Sequence, residues 1–162
     1  MKKTVIFGLI WIGLLSLVGC WTSMTVVEYN DAFIAAVNKC LEPTQSLWTE
    51  FENWSTDLSS LQWDIELCKT ASDDASDLWN FDWDASLKDA VVGFLDTYVD
   101  YLEKFADTNP YWDVEEISID DEENYKSLIK ELSEIEWNLN SQMTVLQETQ
   151  EAFAAKHWLK LQ

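Results

Sequence analysis

The sequence predicts an all-α protein: an antiparallel up-down-up-down four-helix bundle preceded by an N-terminal signal helix. Three observations predict it. Apolar residues recur at spacings of three and four along four separate stretches, the pattern of a helix with one buried face. Turn formers are scarce, since Gly8, Gly13 and Gly19 fall near the N-terminus and leave only Gly93, Pro43 and Pro110 in the rest of the chain. The first two connections are short, and short connections pair neighbouring helices antiparallel.

The chain opens with Lys2 and Lys3 and then runs almost wholly apolar over residues 4–18, the order of a secretory signal. That run is too short for a comfortable membrane span of roughly 20 residues. Leu17-Val18-Gly19-Cys20 follows, and it resembles the lipobox of bacterial lipoproteins. The resemblance implies a diacylglyceryl group on the Cys20 thiol, cleavage between Gly19 and Cys20, and acylation of the new amine by a chain such as palmitate. Two or three such chains, at about 0.8 kcal/mol per buried methylene, hold a protein to its membrane. Residues 1–19 are therefore expected to be a lipoprotein signal peptide, and residues 20–162 one acidic helical-bundle domain at the bacterial cell envelope, facing the periplasm or the exterior.

Helix one is expected over residues 22–54, with Val26, Phe33, Val37 and Cys40 on its buried face and Val27, Ile34 and Leu41 beside them. Pro43 lacks a backbone donor and either ends or kinks this helix. A helix ended there would put Cys40 and Cys68 roughly 35 Å apart, at opposite ends of the hairpin. The heptads favour the kink, because Phe33, Cys40, Leu47 and Trp54 stay seven apart across the proline, as do Val37, Thr44 and Phe51. The turn then falls at residues 54–57 and the two cysteines face each other. A Cys40–Cys68 disulfide is expected, worth on the order of 3 kcal/mol in the chain-entropy model.

Helix two, over 57–78, carries the seam Leu58, Leu61, Ile65 and Cys68. Residues 79–84 are aromatic and acidic without periodicity and form the second connection, after which Asp84 or Ser86 caps helix three. Helix three, over 85–106, buries Leu87, Val91, Phe94, Tyr98, Tyr101 and Phe105, spaces Asp100 and Lys104 one turn apart, and contains Gly93 either as a close helix contact or as a tolerated residue. Residues 107–117, with Asn109-Pro110, form the one long loop. Ser118 and Asp121 match a capping box ahead of the longest helix, whose seam is Tyr125, Leu128, Leu132, Ile135, Leu139, Leu146 and Phe153. Asn30, Gln142 and Thr149 place polar groups on the seams near the anchored end, as a wetter packing, a register device or a small polar cavity.

Charge bounds the partners. Thirty acidic residues against ten basic ones give the 162-residue chain a net charge of −20, and loss of Lys2 and Lys3 makes the remainder two units more negative. Nucleic acid and anionic headgroups are repelled, so no nucleic-acid partner is expected. Chemistry has little to work with: His157 stands alone beside Lys156 and Trp158, where a solvated side chain is expected, and neither an H-E-x-x-H motif, a His/Cys cluster nor a Gly-rich phosphate loop occurs. No enzyme activity, cofactor or metal is expected. Asp73-Asp74 with Asp77, and Asp120-Asp121 with Glu122-Glu123, depart from the calcium-loop pattern and read as solvated surface.

Trp63, Trp137 and Trp158 fall on the outward sides of their helices and are the candidates for contact with an envelope protein or a glycan. The run Gln150-Glu151-Ala152-Phe153-Ala154-Ala155-Lys156-His157, with Tyr29-Asn30-Asp31-Ala32-Phe33, resembles small uncharacterised bacterial lipoproteins with acidic helical bundles. That group implies an anchor and a bundle, and no established activity. The expected function is a membrane-anchored, non-enzymatic interaction or structural module of the cell envelope, with a binding protein for a small molecule or glycan as the alternative.

Overall fold

The structure is a computed structural model that describes residues 24–52, 58–82, 84–111 and 118–157; the side chains of 45–52, 119 and 120 stand outside that description. Four helices make up the described chain: α1 (Val26–Glu52), α2 (Leu58–Ser76), α3 (Ser86–Ala106) and α4 (Ile119–Lys156), with one 3-10 turn at Asn109–Tyr111 in the connection before α4. Expectations that concern Leu17, Val18, Gly19 and Cys20, the turn at residues 54–57, Trp158 and residues 112–117 lie outside the described residues. Among the described residues no helix is long and apolar enough to cross a membrane.

The chain is an antiparallel up-down-up-down four-helix bundle. α1 passes straight through Pro43 and ends at Glu52, so the continuous-helix alternative is the observed one. The seam holds the helix together across the missing donor. Cys40 is fully buried just before the proline, and Thr44 just after it donates to the Leu41 carbonyl (3.0 Å) and accepts from the Tyr98 hydroxyl of α3 (2.8 Å). Cys40 and Cys68 are bonded, with their Cα atoms 4.4 Å apart, which clasps α1 to α2 in the expected register.

α3 is the centre of the molecule. Leu87, Val91, Phe94, Leu95 and Leu102 are all within 1 % of full burial, and each such side chain contributes roughly 1.5–3 kcal/mol by leaving water. Ion pairs sit at its edges. Lys69 of α2 reaches Glu103 (2.9 Å), and Lys104 reaches Glu131 of α4 (3.0 Å) and Asp107 (3.2 Å). Lys104 thus pairs across helices and to the C-cap rather than with Asp100 as its spacing suggests.

α4 lies along α3 and leaves α1 largely uncovered. Its seam residues Tyr125, Leu128, Leu132, Ile135, Leu139 and Leu146 are only half-buried, and Phe153 with Ala154 are the fully packed positions near its end. At its start Ser118 accepts from the Asp121 N–H (3.2 Å) and its hydroxyl donates to the Asp121 carboxylate, so half of the expected capping box forms. Gly93 faces α4 with room to spare: a Cβ there would meet Gln142 Oε1 at 3.6 Å, ordinary contact, so the glycine is tolerated rather than required.

Candidate functional site

The two chain ends of the bundle come together. α1 begins and α4 finishes at the same end, where the second connection folds between them. Phe81 and Asp84 close a turn, the Asp84 N–H donating to the Phe81 carbonyl (2.9 Å), with Asp82 at φ +52°, a left-handed conformation that Asp tolerates better than most residues. The turn drives the Phe81 ring inward against Tyr29 (5.3 Å between centroids), Phe153 (6.0 Å) and His157 (5.2 Å, edge-on). Asp84 then accepts from the Ser86 N–H (3.0 Å) and from Lys156 Nζ (2.8 Å), tying the start of α3 to the end of α4. The Lys156 ammonium first, and the Ser86 hydrogen bonds after it, hold the Asp84 carboxyl well below the usual carboxylate range.

His157 is therefore not the solvated side chain its terminal position suggests. Its Nε2 is buried without a hydrogen-bond partner and its ring packs at a tilt against Phe153, 4.6 Å between centroids. The Tyr29 hydroxyl beside the Phe81 backbone is likewise buried without a well-formed hydrogen bond, and burial raises its pKa. The rings of Tyr29 and His157 pack this end while their unpaired polar atoms cost it stability, and among the described residues these contacts hold no nucleophile with its base.

Just beyond this cluster α1 and α4 part. Asn30 is buried and accepts through Oδ1 from Gln150 Nε2 (3.2 Å), the last side-chain hydrogen bond between the two helices among the described residues. From there a crevice of about 110 Å³ opens, floored by Phe33, Leu87 and Val91 and walled by Ile34, Val37 and Leu146. The polar seam is thus real at Asn30, but its partner is Gln150 rather than Gln142 or Thr149, both of which are half-buried. Gln150 was hidden by the heptad reading. Straight helices drift by roughly 20° per heptad, and Gln150, one turn after Leu146, is carried onto the α1 side.

No family model, curated protein or solved structure matches the chain.

A second, wider groove of about 790 Å³ runs between α2, α3 and the middle of α4. Lys69 and Lys104 stand in it, each already bridging two carboxylates, which push both ammonium pKa values up. Of the outward tryptophans, Trp63 is 66 % and Trp137 76 % exposed, as expected, but they stand on the outer faces of α2 and α4, which scarcely touch, so they do not form one continuous patch. The acidic runs are drawn into surface pairing, with Asp74 on Lys39 (2.7 Å) and Glu122 on Lys126 (2.6 Å). Among the described residues no group of three or more His, Cys, Asp or Glu side chains is arranged to hold a metal ion.

Proposed function

We propose that the chain is a lipid-anchored lipoprotein of the bacterial cell envelope, and that its bundle is a non-enzymatic interaction or structural module. The Cys40–Cys68 bond carries this reading. A structural disulfide persists in an oxidising compartment, and it engages two of the three cysteines, which leaves Cys20 to the lipobox chemistry. The start of α1 at Val26 follows Cys20 closely, and α4 ends at the same end of the bundle. Anchoring there would hold the aromatic cluster near the lipid and turn the start of α2 outward. The intact mass of membrane-extracted protein tests this. The expected species lacks residues 1–19 and carries diacylglyceryl and acyl groups on Cys20, and an unmodified Cys20 overturns the proposal.

The crevice at Asn30 and Gln150 favours a second reading, a binding protein for a small molecule. Its volume of about 110 Å³ falls well below the roughly 300–1,000 Å³ of drug-sized pockets, so a small molecule held within it would be smaller than those. Exposed Trp63 and Trp137 are the surfaces on which a glycan would stack.

A further inference from the structure

The bundle has one side left open. In a closed four-helix bundle α1 would pack along α4; here the two are joined at Asn30–Gln150 and by the Tyr29–Phe153 ring contact, and then leave apolar side chains facing a gap. Ile34 is 41 % exposed on the α1 wall and Met143 47 % on α4, one turn before Leu146. An exposed apolar trough between two helices is the shape that a third helix fills.

Charge selects the occupant. Asp31 on α1 and Glu151 on α4 flank the crevice on its outer side, with Glu42 and Glu136 farther along the same helix sides. None of the side chains lining the crevice is charged, and the lysines that could neutralise its rims are engaged elsewhere: Lys39 with Asp74, Lys104 with Glu131, and Lys156 with Asp84. An apolar floor between acidic rims complements a helix with an apolar stripe flanked by Lys or Arg. A second copy of this chain, at −20, brings the same sign of charge to those rims and is repelled.

We propose that the α1–α4 crevice is a docking groove for a cationic amphipathic helix of a partner protein. This rests on the interaction-module reading and supplies its contact surface. The lining residues of α1 run from Asn30 to Asn38, roughly 12 Å of groove, which seats two to three turns of helix with anchors at i, i+3 or i+4, and i+7.

The test uses the full chain in a nonionic detergent and a labelled peptide of leucine and lysine heptads, with binding read by fluorescence anisotropy. Saturable binding that weakens with salt is expected, and a peptide with glutamate in place of lysine should not bind. Ile34→Lys blocks the wall and should weaken binding about tenfold or more, whereas Asn138→Lys, one turn after Ile135 on the side of α4 turned toward the α2 groove, adds the same charge away from the crevice and should change it less than twofold. Both positions are exposed, and unchanged circular dichroism verifies that the variants fold. No saturable binding, equal binding of the glutamate peptide, or equal weakening by the two variants each overturns the groove. Crosslinked membranes separate this from the wider reading: a partner captured equally by wild type and Ile34→Lys overturns the groove and leaves the module standing, whereas a chain that captures nothing in either form sinks the module as well.

Discussion

Asp84 concentrates the chemistry of the bundle's closed end in one side chain. It accepts from both Ser86 and Lys156, and its carboxyl titrates below the unfolded value of about 3.9. A depressed acid stabilises the fold above its unfolded pKa and loses that contribution as pH falls through the folded one, so the effect belongs to the window below about pH 4. Asp84→Asn should lower the urea midpoint at pH 7, and its gap from wild type should narrow steadily as pH falls below about 4 toward the depressed pKa of the folded carboxyl. A gap independent of pH would show that the side chain acts by shape alone. The Ser86 contact is local and within reach of the sequence, although the N-cap of α3 is Ala85, without a side-chain cap bond, rather than Asp84 or Ser86; the Lys156 partner, 72 residues away, was not legible. Phe81 makes the same point, since a residue in an aperiodic connection carries no periodic sign that it will enter the core.

At the scale of the elements, helix boundaries followed the apolar period closely, and α1 continued through Pro43 because burial on both sides of the proline outweighs one lost backbone bond. The α3–α4 contact is looser. Gly93 lies in the interior of α3 with no close neighbour to demand it, so Gly93→Ala removes backbone freedom from the unfolded chain and adds a methyl group at ordinary contact distance. Stabilisation of about 0.5–1 kcal/mol is expected, read as a higher thermal midpoint. A lower midpoint would mean that α4 sits closer to α3 than 3.6 Å from that Cβ position allows.

For the whole molecule, a net charge of −20 sets the balance between cohesion and self-repulsion. The ion pairs among the described residues are mostly exposed, so screening the excess carboxylates should outweigh weakening the pairs. The thermal midpoint should therefore rise as sodium chloride increases from low ionic strength to about 0.15 M, and a fall would assign stability to the local pairs instead. The sequence by itself determined the four helices, their antiparallel order and the Cys40–Cys68 pairing, because periodicity and spacing about a turn are written within short stretches of chain. The tertiary structure alone decided that α4 covers α3 and leaves α1 open, that Asn30 meets Gln150, and that His157 is packed rather than solvated. Those outcomes depend on rotational phase between helices far apart in sequence. Over the 38 residues of α4, the mismatch between 3.5 and 3.6 residues per turn accumulates to about 100°, enough to turn a seam from one neighbour to the next.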